Sequence, residues 1–468
     1  MTLLNNRMKS GLALLAAGSM LALGAPMAAS AQSAFTTLDK TSAANVRFSS
    51  AERGKAIEAG SSVTVAGQGF KPGQKVQLLY GATPLAGGDL TADGEGKLTG
   101  TITVPANAVA GTHPIVVVAQ GPYYATVADL KVSPTVPLSG QQNYTLTEAK
   151  ATRGQYQSAY SPKSNALFVT SSVGRPPIKQ SELVKLNADT LKVLARVTPQ
   201  AAPATANGRD PGIFGVYGIA VDDSKGTVWT TNTRQNTISV YNQADLSLVK
   251  QFEPGAVGHP RDVVIVPGAN KAYVSTSGKE VVVVDTGSLQ VSKKIAPASL
   301  KRGEDFGAAS LSFNPAKNLL YVASMSNEVA IIDTRTDEVV KVLPVPGAKG
   351  VIGIADDPQT GRIFVASQGS DNLIVLDADG KVIADTPVGA GALNVAFDPV
   401  KRVAYVANRG ASTITVVDVD GKIVANLGPA PMVNHISIGK NGTVYAVDKS
   451  AGMAEGGLDS VIRIRPKK

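Results

Sequence analysis

One hydrophobic pattern returns along the C-terminal two-thirds of the chain. An aromatic residue stands beside small apolar ones, a short polar loop follows, and then an aliphatic run closes on Asp before a turn and a further apolar stretch. Ala272-Tyr273-Val274-Ser275 with Val281 to Asp285 is one copy, and Tyr321-Val322-Ala323-Ser324 with Val329 to Asp333 is the next. Phe364-Val365-Ala366-Ser367 with Leu373 to Asp377, and Tyr405-Val406-Ala407-Asn408 with Ile414 to Asp418, continue the series. Weaker copies start at Leu167-Phe168-Val169-Thr170, Trp229-Thr230-Thr231-Asn232 and Tyr445-Ala446-Val447-Asp448, and the aromatic positions of the last five copies lie 48, 43, 41 and 40 residues apart. Short β-branched runs bounded by Gly, Asn and Asp predict strands rather than helices.

Each copy has room for four strands, the size of a propeller blade. One such unit cannot bury both its faces alone, whereas seven stacked around an axis can. The last copy runs out at Val461-Ile462-Arg463-Ile464-Arg465, its third strand. The alternation of 143–150 (Tyr144, Leu146) predicts that this stretch supplies the missing outer strand and closes the ring, leaving no lone edge. Upstream, Ser62 to Ala66, Gln74 to Tyr80, Lys97 to Val104, His113 to Ala119 and Ala125 to Val132 alternate as short strands between turn signals such as Pro72-Gly73 and Asp93-Gly94. That spacing predicts a small β-sandwich. The expected fold is therefore all-β: a seven-bladed β-propeller over 143–468, preceded by an immunoglobulin-like β-sandwich over 59–133, with 134–142 a stiff Pro-containing linker and 32–58 weakly ordered.

The first 31 residues read as a signal peptide: Arg7 and Lys9, an apolar run from Gly11 to Leu23, and Ala29-Ser30-Ala31 as a cleavage site. No later run is long and apolar enough to span a membrane, so the mature chain is expected free in the periplasm, with secretion or surface display as alternatives. The chain has no cysteine, which excludes thiolate metal sites, thiol catalysis and covalent haem attachment, and its three histidines leave little for a His-rich metal site. No metal or cofactor is expected. The formal charge is +9, or +7 without Arg7 and Lys9, a moderate surplus that favours anionic partners.

Tyr405-Val406-Ala407-Asn408 and its relatives resemble the YVTN repeat of bacterial β-propellers, and the plan of 143–468 is similar to that of the periplasmic YncE-like proteins. The Gly67 to Gly73 segment, Gly-x-Gly-Phe-x-Pro-Gly, resembles bacterial immunoglobulin-like modules. The first resemblance implies a non-enzymatic periplasmic protein, with single-stranded DNA among the ligands of some relatives. The N-terminal sandwich departs from the simplest members.

In a four-stranded antiparallel blade, the loop into strand one and the loop between strands two and three open on one face. Basic residues gather in those loops: Arg175, Lys179, Arg209, Arg234, Arg261, Lys301, Arg302, Arg409 and Lys449, with Lys349 beside them. Two readings stand. Either they form a ring of phosphate or carboxylate donors, or they are ordinary loop charges offset by Asp210, Asp262, Glu304, Asp305 and Asp371. Phe214, Tyr217 and Phe306 lie in the same loops, as stacking platforms or as core plugs. His259 and His435, with Arg261 and Glu304, are the weak candidates for a lactonase-like acid/base site, against simple hydrogen bonding across the channel. Asp377-Ala378-Asp379-Gly380 and Asp418-Val419-Asp420-Gly421 lack the carboxylates of an EF-hand and read as tight turns. The leading expectation is a monomeric binding protein for an anionic ligand or an envelope protein partner. A lactonase-type hydrolase and a structural scaffold are the alternatives.

Overall fold

The computed structural model describes residues 43–205, 207–450 and 457–467. The expected signal peptide lies outside them. Seven four-stranded antiparallel sheets occupy the C-terminal two-thirds, and their first strands are Gln155–Ser161, Ile219–Asp222, Val263–Val266, Ala308–Asn314, Val351–Asp356, Ala392–Asp398 and His435–Ile438. These first strands contact one another in cyclic order, and the last meets the first. The sheets are called repeats 1 to 7 below. The result is a propeller-like, all-β fold.

Closure follows the pattern of the last copy. Tyr144–Lys150 pairs antiparallel with Ser460–Pro466 and forms the outer strand of repeat 7. The ring is held by burial between neighbouring sheets. Phe168 and Leu183 pack on Ile219, Val228 and Tyr241 between repeats 1 and 2, and Leu167, Val169 and Val184 pack on Tyr445, Val447 and Val461 between repeats 1 and 7. The recurring aromatic position is buried in every repeat, from Phe168 through Trp229, Tyr273, Tyr321, Phe364 and Tyr405 to Tyr445. Each such side chain contributes about 1.5–3 kcal/mol by burial. Some also tie repeats together: the Tyr273 hydroxyl donates to Asp337 of repeat 4, and that of Tyr445 donates to the Ala188 carbonyl of repeat 1, 3.0 Å away.

The Asp that ends the third strands caps the following turn. The Asp377 carboxylate accepts the N–H groups of Asp379 and Lys381 at 2.9 Å, and Asp418 accepts those of Asp420 and Lys422 at 3.0 and 2.9 Å. Both Asp-Gly segments are thus turns, with Gly380 and Gly421 at positive φ.

Two antiparallel sheets precede the ring. One is ordered Asn45–Ser50, Ser62–Gln68, Leu98–Thr103; the other is Thr83–Thr91, Lys75–Tyr80, Gly111–Gln120, Tyr124–Val132. They share one core, with Val63, Val65, Leu98 and Ile102 packed on Val76, Leu78, Ile115 and Val117. Two of these strands depart from the sequence expectation. Asn45–Ser50 lies in the stretch expected to be weakly ordered, yet it pairs along its whole length with Val63–Gln68 and buries Val46. Thr83–Thr91 was hidden by Gly87 and Gly88, which weaken a strand pattern. A Cβ at Gly87 would collide with the Thr101 carbonyl of the facing sheet, so close sheet approach requires the glycine.

The sandwich is docked on the ring. Lys131 Nζ reaches the buried Asp371 carboxylate at 2.8 Å and the Gln368 carbonyl at 3.0 Å, and Lys349 Nζ pairs with Asp129 at 2.9 Å. The linker follows the outer strand of repeat 6: Ser139 and Asn426 exchange backbone hydrogen bonds at 3.0 Å, and Asn426 Nδ2 donates to the Val136 carbonyl at 2.9 Å.

Candidate functional site: the axial mouth

One position at or just before the first strand of each repeat faces the axis, and it is polar in five of the seven. Gln157, Asp262, Ser310, Asn394 and His435 hold it in five repeats, and glycines Gly218 and Gly353 hold it in the other two. Four of these side chains act alike, each accepting a backbone N–H from the first strand of the next repeat. Gln157 Oε1 accepts from Ile219 at 3.0 Å, Asp262 Oδ2 from Leu311 at 3.0 Å, Asn394 Oδ1 from Ile436 at 2.8 Å, and His435 Nδ1 from Ser158 at 3.3 Å. This belt stitches the inner ring with hydrogen bonds that replace a missing sheet ladder. His435 belongs to it. Its depth pushes the imidazole pKa down to about 4, so the ring is neutral near pH 7, and the accepting Nδ1 leaves the proton on Nε2.

Two cavities lie along the axis on either side of the belt. The one toward the loops, about 250 Å³, is lined by Tyr156, Arg261, Gln368, Arg409 and Asn434, with Gln157, Ser310, Asn394 and His435 from the inner ring. The other, about 320 Å³, shares Ser310, Asn394 and His435 and is lined by Asp262 and Asp356, whose burial raises both carboxyl pKa values.

A field of cations surrounds the loop-side cavity. The Arg409 guanidinium is half-buried, its Nε has no hydrogen-bond partner, and burial lowers its pKa. Lys449 sits with Nζ 4.9 Å from the centroid of the Tyr156 ring, a cation–π contact. Its pKa falls to about 8, first from burial and then from Arg409, with Arg234 adding to the effect and Asp459 opposing it. The His259 pKa is lowered by burial and then by Arg234 and Arg261. These groups therefore sense one another, and among the described residues none of Arg234, Arg261, Arg409 and Lys449 makes an ion pair. Behind Lys449, burial and the neighbouring Asp459 raise the pKa of Asp448.

The structure sorts the sequence candidates. Arg261 and Arg409 line the cavity, and Arg234 and Lys449 act on its rim. Arg175, Lys179, Arg209, Lys301 and Arg302 are exposed on outlying loops and do not line it. Lys301 faces Glu304 at 3.8 Å, so Glu304 is spent on the surface, away from His435. His259 is exposed and does not line the cavity that Arg261 and His435 share. Phe214 and Phe306 are fully buried and cannot stack on a ligand; they fill space beneath the loops. Tyr217 is buried too, its hydroxyl accepting from Ser172 at 3.0 Å and its ring set edge-on to Tyr156, centroids 5.2 Å apart. The aromatic at the mouth is Tyr156, which loop-by-loop reading passed over because it lies in a first strand. Gln157 and Asn394 were missed for the same reason, although alignment of the repeats on His435 would have found them.

No family model matches the chain. The chain is similar to the protein YncE of Escherichia coli (strain K12), 26% identical over 153 residues, which is 31% of this chain and 40% of the relative's length. Among solved structures, a chain of Kuenenia stuttgartiensis hydrazine synthase superposes with a TM-score of 0.55 at 18% identity, covering 68% of this chain and 98% of that one. That likeness concerns the fold alone and agrees with a propeller-like all-β architecture.

Proposed function

We propose that this chain is an exported binding protein, a YncE-like seven-bladed propeller carrying an immunoglobulin-like sandwich, and that it takes an anionic ligand at the axial mouth. The observation that carries this reading is the group of Arg234, Arg261, Arg409 and Lys449, gathered around one concave site without an ion pair among the described residues. Arg261, Arg409 and Lys449 are half-buried, with the exposed Arg234 beside them, and such cations in mutual repulsion cost stability unless a ligand compensates them. Tyr156 offers a flat apolar surface beside them, a combination suited to a nucleotide base or ring next to a phosphate. The apolar leader at the N-terminus supports a periplasmic location. Among the described residues no acid/base pair supports hydrolysis: the histidine in the cavity is neutral, its Nδ1 is engaged in the belt, and no described carboxylate lines the cavity with it.

Fluorescence anisotropy of a labelled single-stranded oligonucleotide, titrated with the mature protein across a salt series, tests the reading. Affinity should fall with salt at a slope of about −0.7 per phosphate contact. Arg234→Ala and Arg261→Ala should each weaken binding and flatten that slope, while Arg175→Ala and Arg302→Ala should not. Equal loss from mouth and outlying substitutions would place the contact elsewhere.

A further inference from the structure

The loop-side cavity has a one-sided hydrogen-bond inventory. Its acceptors are mostly engaged by the belt: Gln157 Oε1 by Ile219 N–H, Asn394 Oδ1 by Ile436 N–H, and His435 Nδ1 by Ser158 N–H. The donors are what remain, namely the guanidinium groups of Arg261 and Arg409, His435 Nε2–H and Asn394 Nδ2–H. Asn434 donates its amide to the Tyr156 carbonyl at 2.6 Å and keeps its Oδ1 as an acceptor, and the Ser310, Gln368 and Tyr156 side chains, which both donate and accept, complete the described lining. Among the described residues no carboxylate lines this cavity, whereas Asp262 and Asp356 line the one beyond the belt. Arg409 Nε is buried and unpartnered at its wall.

A cavity whose only charged groups among the described residues are two guanidinium groups, with neutral donors beside them, suits an oxyanion. Its volume, about 250 Å³, equals that of roughly eight waters at ~30 Å³ each. That is enough for one phosphate or carboxylate group with a few attached atoms, and too little for a strand of nucleic acid to thread the axis. We infer that the cavity holds one small oxyanion group of the ligand, a carboxylate or phosphate, between Arg261 and Arg409, with Asn394 and His435 as neutral donors beneath it. This inference rests on the anion-binding reading above and narrows it: the deep contact is made by a terminal or free oxyanion, and Lys449 and Tyr156 hold whatever is attached to it.

The test uses the full mature chain in isothermal titrations with sodium phosphate and, separately, sodium malonate at low chloride. Asn394→Asp is the decisive variant, because an aspartate keeps the oxygen that accepts Ile436 N–H while placing a carboxylate in the cavity. Saturable binding of phosphate, malonate or both is expected, at least tenfold weaker in Asn394→Asp and in Arg409→Ala, with the Tm of anion-free Asn394→Asp near that of the parent. The anion that binds more tightly identifies the head group. The same anion should displace the labelled oligonucleotide. If the oligonucleotide binds through Arg234 and Arg261 but neither small anion binds, or if Asn394→Asp binds them as the parent does, the oxyanion cavity is refuted and the broader reading survives. If oligonucleotide and small anions all fail to bind, both fall together.

Discussion

A cation that makes no ion pair among the described residues should be a measurable burden on the empty protein, and Lys449 is the place to measure it. Its pKa is displaced from an ordinary value of 10.5 to about 8 by burial and by Arg409. That displacement corresponds to ~3 kcal/mol, and screening by water at the open mouth reduces it to about 1–2 kcal/mol. Lys449→Met removes the charge while leaving an apolar chain on the Tyr156 ring. The sign follows from proton linkage. Below pH 8 the lysine is charged in both the folded and the unfolded chain, and the penalty is fully present. Between about pH 8 and 10.5 the unfolded chain holds a proton that the folded chain has released, so stability of the parent rises with pH. Above that window the penalty is gone. Lys449→Met should therefore be more stable than the parent at pH 7 by about 1–2 kcal/mol, roughly 2–3 °C in Tm, and the gap should close by pH 10.5. Urea denaturation of both proteins at pH 7, 9 and 10.5 reads this directly. A variant less stable than the parent at pH 7, or a gap that does not change with pH, would refute the argument that Lys449 is an uncompensated charge.

Two further outcomes follow from the placement of single residues. Phe306→Ala should cost about 3–5 kcal/mol in denaturant unfolding and leave oligonucleotide affinity unchanged, since the ring is fully buried between repeats 3 and 4; lost affinity at unchanged stability would restore it as a stacking platform. Asp448 has a folded-state pKa raised by burial and by Asp459, so the folded chain keeps a proton that the unfolded chain gives up, and stability falls as pH rises through the window above ~4. Asp448→Asn should accordingly gain stability over the parent at pH 7 and lose that gain below pH 4, and a gain persisting at pH 3 in a denaturation series would contradict this.

The repeats were legible because each aromatic position is a packing position: Trp229, Tyr273, Tyr321 and Tyr405 recur where a sheet must fill the gap to its neighbour. The closing strand was legible for a related reason, since a copy ending at its third strand leaves an edge that needs covering. Thr83–Thr91 was not legible, because Gly87 and Gly88 answer to the facing sheet rather than to strand propensity. At the mouth, loop position located Arg234, Arg261, Arg409 and Lys449 but could not tell which way an aromatic points, so Phe214 and Phe306 passed as candidates. The belt stayed hidden because its chemistry is split between repeats. Nothing near Asn394 in sequence announces that its carbonyl oxygen serves Ile436.

Pairing, more than the number of basic residues, distinguishes the mouth from the rest of the loop-rich face. Lys349 is answered by Asp129 and Lys131 by Asp371, both across the junction with the sandwich, and Lys301 faces Glu304 on its own loop. Those charges are committed to docking and to loop structure. Toward the axis the pairing stops among the described residues: Arg261 and Arg409 face a cavity lined by no described carboxylate, and Lys449 leans on an aromatic ring. A net charge of +9 spread evenly would give no such contrast. Because the sandwich grips Gln368, a residue that also lines the cavity, through Lys131, the sandwich braces one wall of the mouth, while its Asp129 pairs with Lys349, outside the cavity. Among the described residues the loop-side centre is thus left positive, and the proposed anion site rests on that contrast.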